Sequence, residues 1–423
     1  MSLTMIESPS ATAPAKAAED PDAAAVAFTF EVFESFASIE GLREAWDQFA
    51  VDLKSPVFLT FDWLRTWWDF YGKNHRLRIY VCRAGGDLVG VLPLFIEAVG
   101  FWPFPLRVAK LVGTNFPPQP LMPPVRPEWA SEVYKRVIGD LFDAGQCDVL
   151  SIGLVGDDWL NDGSLNEGCA AHPLLAGRPE YLSREVNTTF FLPPAYEEYI
   201  EALDSRERKI RRKKLRDLEK ERTVRTEVIQ DETRVAAEFE EFAEQHTKQW
   251  ETEGRPGHFA AWPRGLEFHR ALVAAHAKQG RVRFIKLYAD DQVVANQYTY
   301  AFGDAIYALL PSRVSDPEWH RFSLGGTSQI KLIESSIQDG YKRLESGLGH
   351  YEYKTLLNGK ESPVGVVRVL RTGGWTRAKV RLFDNLNKLL TLFLHKIWYR
   401  RIAPRLRLRS GAGRPTALLR FDF

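Results

Sequence analysis

Apolar and polar positions alternate most plainly between Arg281 and Leu310. Val282-Arg283-Phe284-Ile285-Lys286-Leu287-Tyr288 predicts a strand, followed by a turn at Asp290-Asp291. Two more strands are predicted at Val293 to Phe302 and Ala305 to Leu310, with the Gly303-Asp304 turn between them. The period then lengthens. Arg321-Phe322-Ser323-Leu324-Gly325-Gly326-Thr327 reads as a glycine-bearing loop that opens a helix running to about Asp339. A return strand around Leu344 and the polar cluster Gly349 to Lys354 close the segment, and strand alternation there sends Tyr353 and Lys354 to opposite faces. A strand meander, a glycine loop at a helix start and a polar strand end together describe a small-molecule site.

Upstream, Phe28 to Phe33 alternates as an edge strand, and Leu42, Trp46 and Phe49 share one face of a helix. Trp63 and Trp67 stand one turn apart on the next helix, a stripe that reads first as core. Leu77 to Cys82 and Leu88 to Ile96 flank a Gly85-Gly86-Asp87 turn and predict a hairpin. Strands are expected at Val108-Val112 and Asp148-Gly153, a helix across Glu128-Ala144, and a short helix starting at Pro173-Leu174. The proline-rich stretch between residues 115 and 124 reads as a surface loop. Pro193-Pro194 breaks a strand that ends at Phe191, and a helix begins near Tyr196.

From Ser205 that helix is intensely basic, carrying Arg206, Arg208, Lys209, Arg211, Arg212, Lys213, Lys214 and Arg216. Such a helix either pairs its charges along its own surface or meets a polyanion, whether the phosphates of a cofactor or a nucleic-acid backbone. Helices follow at Thr233-Trp250 and Leu266-Gln279; His246 and Trp250 lie one turn apart and can face one cleft, although a lone helical histidine is first read as structural. Val364-Leu370 is the last strand. Beyond Arg377, Val380, Phe383, Leu386, Leu390, Phe393 and Ile397 recur at helical spacing among cations. This basic amphipathic helix either lies on an anionic membrane surface or docks on the body of the protein.

Composition trims the possibilities. With 423 residues the chain is long enough for two domains, and its net charge of +1 leaves attraction to polyanions to local patches. Three cysteines, without CxxC or Cys/His metal spacing, argue against a disulfide framework or structural zinc. No GxSxG elbow, P-loop or HExxH is present. The first 27 residues read as a disordered tail rather than a secretory signal, and no apolar run reaches membrane-spanning length. A cytoplasmic protein is expected.

Several short stretches carry a family resemblance: Ser55-Pro56-Val57-Phe58 before Trp63-Leu64, the hairpin ending Gly90-Val91-Leu92-Pro93-Leu94, and the helix Ser205-Arg206-Glu207-Arg208-Lys209-Ile210-Arg211-Arg212. His246 with Trp250, Ser323-Leu324-Gly325 before a helix, and Gly349 followed by Tyr353-Lys354 complete the set. In their order and spacing, over roughly Phe28 to Arg371, the chain resembles the GNAT acyltransferase superfamily, in the subgroup of CelD-like (cellulose-biosynthesis-type) acetyltransferases related to FemABX. Leu324 stands where that family usually has proline.

The resemblance implies an α/β fold of two tandem GNAT-like domains, with mixed central sheets flanked by helices. Their expected extents are 28–191 and 192–375, the second carrying the acyl-donor site, followed by a basic amphipathic extension over 376–423. It implies acyl transfer from acetyl-CoA or another acyl-CoA, without a metal, to a sugar, polysaccharide precursor or other cell-envelope metabolite. A FemABX-like transferase drawing on charged tRNA, or a non-catalytic scaffold at a membrane assembly, are the alternatives. The helix start offers N–H groups and a positive dipole end to a pyrophosphate, so Arg321, Ser323, Gly325, Gly326 and Thr327 are the expected donor-site residues. Lys354 sits where FemABX proteins have a lysine that steadies the acyl carbonyl, with Tyr353 or Tyr351 as proton donor. The base is left among Glu345, His350 and His246. His246, Trp250, Arg208 and Arg212 are the expected substrate contacts, and the partners are a small-molecule or glycan acceptor and, through the C-terminal helix, a membrane surface.

Overall fold

A computed structural model describes residues 27–100, 104–114, 116–117, 119–156, 159, 163–170, 172–175, 179–255, 257–260 and 262–393. The expected N-terminal tail, up to residue 26, and the extension from residue 394 lie outside the described residues. The first half runs β1 (Phe28–Phe33), α1 (Arg43–Asp52), α2 (Phe61–Tyr71), β2 (Arg76–Ala84), β3 (Asp87–Val99), β4 (Leu106–Leu111), α3 (Ala130–Asp143), β5 (Val149–Gly156), α4 (Ser164–Ala170) and β6 (Glu180–Phe191). After α5 (Tyr196–Ala202) and α6 (Ser205–Glu221) the same order returns. It runs β7 (Val224–Ile229), α7 (Val235–Thr252), α8 (Gly257–Ala260), α9 (Gly265–Ala277), β8 (Val282–Ala289), β9 (Gln292–Phe302), β10 (Ala305–Arg313), α10 (Leu324–Gln338), β11 (Arg343–Leu348), α11 (Glu352–Leu356) and β12 (Lys360–Leu370). A last helix, α12 (Gly374–Leu392), follows.

The strands form one large mixed sheet in the order β1-β2-β3-β4-β5-β12-β6-β11-β10-β9-β8-β7, flanked by helices. Each half is an antiparallel meander joined to a parallel strand, β4 to β5 and β10 to β11, through a helix. The last strand of each half is exchanged: β6 pairs with β11, β12 pairs with β5, and the two pair with each other. Parallel neighbours need such helical crossovers, whereas the meander needs only tight turns, which is where Asp290 and the residues Gly85, Gly86 and Gly303 adopt positive φ.

Large aromatic side chains close the gap between the halves. Trp63 packs on Tyr300 (ring centroids 5.2 Å apart) and Phe58 on Tyr307 (5.4 Å), both edge-on. Two buried indoles of the first half are satisfied by backbone carbonyls, Trp46 Nε1 donating to Leu59 O and Trp67 Nε1 to Phe116 O, each at 2.8 Å. The tryptophan stripe is therefore core. The three cysteines are buried free thiols.

Several local expectations change. Pro173-Leu174 forms a turn, and the short helix lies before it at α4. The basic helix is separate from its predecessor because the Asp204 carboxylate caps it, accepting from Arg206 N–H at 2.8 Å and Glu207 N–H at 3.4 Å. Strand β7 is not among the expected elements, and it pairs at the sheet edge with β8. Tyr353 and Lys354 stand on a helical turn, α11, so strand alternation does not separate them. Helix α12 docks on the body through Val380 and Phe383, which join Val99, Leu106 and Val149, while Arg368 Nη1 and Nη2 hold the Asp384 carboxylate at 2.9 and 3.1 Å. Among the described residues no helix is long and apolar enough to cross a membrane.

Candidate functional site

The turn Pro317–Phe322 ends at Ser323, whose left-handed backbone (φ 52°, ψ 52°) redirects the chain into α10. The first bond of this helix runs from Thr327 N–H to Ser323 O at 3.0 Å, so the amides of Leu324, Gly325 and Gly326 precede the intrahelical ladder. They border a cleft of about 320 Å³ that Arg313, Trp319 and His320 also line. Gly325 and Gly326 thus belong to the first helical turn rather than to a loop. At Gly326 the guanidinium of Arg211, reaching across from α6, occupies the space that a Cβ would take, and this flexible arm would have to move for any larger residue. Arg211 Nε donates to Glu207 Oε1 at 2.5 Å, and the Arg313 guanidinium touches Glu253 at 3.5 Å. Two guanidinium groups stand at the positive end of a helix whose first turn holds no acidic residue. That arrangement favours a bound anion.

A second cleft, of about 410 Å³, opens where the two halves meet. Its floor follows from strand register. Tyr307 on β10 stands beside Glu345 on β11, which stands beside Thr189 on β6. Asn187, two residues before Thr189, projects from the same face. Glu345 Oε2 accepts from Thr189 Oγ1 at 2.7 Å and from Asn187 Nδ2 at 3.1 Å, while Arg343 Nη1 lies 3.4 Å from Oε1. Phe58, Pro56, Met122 and Pro363 supply apolar walls. Parallel pairing of β10 with β11 stops at Tyr307, and β10 is irregular between Ala308 and Leu310. The two strands therefore part beside Glu345, and β10 continues to Arg313 at the first cleft, five residues or roughly 17 Å beyond Ala308.

Of the other expected residues, Lys354 is buried and donates from Nζ to the carbonyls of Gly347 (3.0 Å), Leu348 (3.3 Å) and Gly349 (3.4 Å). Its ammonium thus fixes the end of β11, and Gly347 borders the second cleft. Tyr353 and Tyr351 are exposed on one side of this turn, 6.0 Å apart, and partial desolvation, with the Tyr351 hydroxyl nearby, raises the Tyr353 pKa. His350 is exposed and holds Glu361 at 2.8 Å. Arg321 points to Glu221 and covers Phe322, and its carbonyl accepts from Lys214. Thr327 Oγ1 is taken up by Phe322 O at 3.1 Å. Arg208 and Arg212 both pair with Glu201.

His246 lies wholly buried under the sheet, its Nδ1 3.0 Å from Pro311 O and its Nε2 3.1 Å from His258 Nδ1; burial pushes its pKa down to about 4. Trp250 packs beside it, with Arg255 over its ring. Neither belongs to the wall of either cleft. The groups that do converge, Arg211, Arg313, Tyr307, Asn187 and Thr189, had no separate signal in the sequence beyond the Glu207/Arg211 spacing.

Burial lowers the Lys354 pKa from 10.5 to about 8. Between these values the unfolded chain keeps a proton that the folded protein sheds, so the contribution of this group to stability rises as pH increases from about 8 to 10.5. Lys354→Met is expected to cost about 1–3 kcal/mol, from three carbonyls left without their donor, and to remove that rise. Urea unfolding of both proteins across this range checks it; parallel curves would sink the assignment.

Residues 205–355 match the family model described as an acetyltransferase (GNAT) domain. No curated protein matches the chain. Among solved structures, the crystal structure of FemX aligns with a TM-score of 0.56 at 12% identity, over 80% of this chain and 96% of that one. A conserved protein of unknown function from Bacteroides thetaiotaomicron VPI-5482 aligns with a TM-score of 0.50 at 11% identity, over 82% of this chain and 100% of that one. At these identities the likeness is one of fold.

Proposed function

We propose that the protein is a GNAT-type transferase that moves an acyl group from acyl-CoA to an amine or hydroxyl. The acceptor class that the CelD-like resemblance suggests is a sugar, polysaccharide precursor or other cell-envelope metabolite. The observation that carries this reading is the start of α10, where Arg211 and Arg313 meet free amides over two glycines. It suits the pyrophosphate of coenzyme A, which charge-assisted hydrogen bonds would hold. The corresponding helix of the first half, α3, follows Trp129 instead, carries Glu132 in its first turn and has no glycine there. From the phosphate cleft a pantetheine arm has a path along β10 into the gap between β10 and β11, which would set the thioester beside Glu345.

Glu345 is then the base. It takes the proton of the acceptor as the nucleophile bonds to the thioester carbonyl; the C–S bond breaks, and the departing thiolate receives a proton. Tyr353, protonated at neutral pH, is the nearest counterpart of the proton donor that the resemblance implies. Lys354 acts by holding the Gly347–Gly349 carbonyls that shape this strand end. A donor carried on tRNA would draw on α6, where Arg208, Arg212 and Lys213 are matched by Glu201 and Asp217 while Arg206, Lys209 and Arg216 are exposed.

Calorimetric titration with acetyl-CoA and a longer acyl-CoA tests the reading. Wild-type protein is expected to bind saturably, and Arg211→Ala and Arg313→Ala each to weaken binding roughly 10- to 100-fold, the effect of one charge-assisted hydrogen bond. Failure of well-folded protein to bind either thioester would overturn it, and salt-sensitive binding of charged tRNA would put the alternative in its place.

A further inference from the structure

Helix α12 buries one side and leaves another apolar. Its buried side carries Val380 and Phe383, and Gly100 at the end of β3 has no side chain because a Cβ would strike the Phe383 ring. Yet Trp375 is 62% exposed and Leu389 63%, and Leu382, Leu392 and Phe393 are exposed with them. At roughly 100° per residue, Trp375, Leu382 and Leu389 fall within about 40° of one another and form a single stripe. Arg377, Arg381 and Lys388 fall within a second band of similar width, about 120° round the helix from the stripe and about as far from the buried side. A separate element joins the stripe: Phe104, which precedes β4 and is itself exposed, stacks edge-on against Trp375 at 5.5 Å, and Lys379 Nζ ties the helix to the neighbouring Pro105 carbonyl at 2.9 Å.

The charge of the chain is also lopsided. Residues 374–423 hold twelve lysines and arginines against Asp384 and Asp422, a net of +10, although the whole chain nets +1. Asp384 is spent on the buried Arg368. The remainder of the protein is therefore net negative and would be repelled by the very surface this region attracts.

We infer that the outer face of α12, with Phe104, is a docking surface for an anionic lipid bilayer. An aromatic and leucine stripe flanked by cations, on a helix clamped to a folded body, lets the apolar side chains enter the headgroup boundary while the cations meet lipid phosphates. A nucleic-acid backbone would use the cations but leave Leu382, Leu389 and Phe393 in water. A second copy of this chain would bury the leucines but bring Arg377, Arg381 and Lys388 against their copies. The surface lies apart from both clefts, so it serves to hold the protein at a membrane, not to catalyse.

Vesicle co-sedimentation of the full chain tests this, with vesicles of phosphatidylcholine alone and of phosphatidylcholine mixed with phosphatidylglycerol. Binding to the anionic vesicles only, falling as salt rises, is the expected result. Leu382→Glu with Leu389→Glu should reduce it at least tenfold, and Arg381→Gln with Lys388→Gln severalfold, with unchanged thermal melting. No binding to anionic vesicles would overturn the inference. So would equal binding by the leucine variant together with tight binding of heparin or tRNA, which marks a polyanion site. Loss of a wild-type dimer in the leucine variant, without any vesicle binding, would overturn it in favour of self-association.

Discussion

Glu345→Gln is expected to lower acyl transfer by roughly 10²- to 10⁴-fold, the usual contribution of a general base, while acetyl-CoA binding stays within a few-fold of wild type. The substitution keeps the side chain's length and can still accept from Thr189 Oγ1, which lies 2.7 Å from Oε2. What it loses is the capacity to take a proton and the charge that faces Arg343. The donor groups, Arg211 and Arg313, stand at the start of α10, away from Glu345, so binding and chemistry should separate in the kinetics: kcat falls and donor affinity does not. Thiol release from acetyl-CoA in the presence of a panel of amino sugars, beside calorimetry on the same samples, provides both numbers. A variant that retained a fifth or more of wild-type turnover would remove Glu345 from the mechanism.

Mild acid should unfold this protein cooperatively, because its second half buries three neutral histidines, His246, His269 and His276, with a fourth, His258, bonded to the first of them. His246 is pushed down to about 4, His269 and His276 to about 3, and His258 is lowered as well, in every case chiefly by burial. The His276 ring has no hydrogen-bond partner at either nitrogen, and His269 none at Nδ1. The sign follows from proton counting. Below 6.5 the unfolded chain binds protons that the folded protein refuses until about 4 or 3, so stability is lost as pH falls through that window. Each fully differential histidine contributes a slope of about 1.4 kcal/mol per pH unit, and domain stabilities are only about 5–15 kcal/mol. His269→Phe, which fits among Phe239, Phe259 and Tyr298, should flatten the dependence by one such slope and move the acid midpoint down. Urea midpoints for wild type and variant from pH 7 to 4 decide the matter; the same midpoint at pH 7 and pH 5 in wild type would refute it.

Local order was the legible part of the sequence. The β8–β10 meander, α10, the hairpin of β2 and β3, and the tryptophan face of α2 all follow from periodicity and turn residues. Glu345, Ser323, Gly325 and Gly326 were reached because polar or glycine residues at strand and helix ends invite chemistry. The rest depends on placement that no period reveals. Arg211 looked like one cation among many on α6, and only the helix crossing over Gly326 distinguishes it from Arg208 and Arg212. Asn187 and Thr189 gain their meaning from a strand 150 residues away in the chain, through the β6–β11 pairing. His246 illustrates the converse, since its spacing from Trp250 allows a shared cleft whereas burial makes it part of the core, as the first reading of a lone helical histidine expects. Lys354 is expected on a strand end because it follows the return strand at Leu344, whereas the chain coils there into α11, with Lys354 N–H bonding Tyr351 O at 2.8 Å.

The reciprocal placement of β6 and β12 has a bearing on how this protein comes into being. As the chain leaves the ribosome, β1 to β5 can zip together early, but the flank of β5 stays open until β12 arrives more than 200 residues later. During that interval β5 presents a row of unpaired amides and carbonyls, and β6, already made, must wait for β11. Nascent chains caught at this stage are the ones that chaperones should recognise. A stop codon anywhere before residue 360 would strand both halves at once, rather than releasing one intact and one broken.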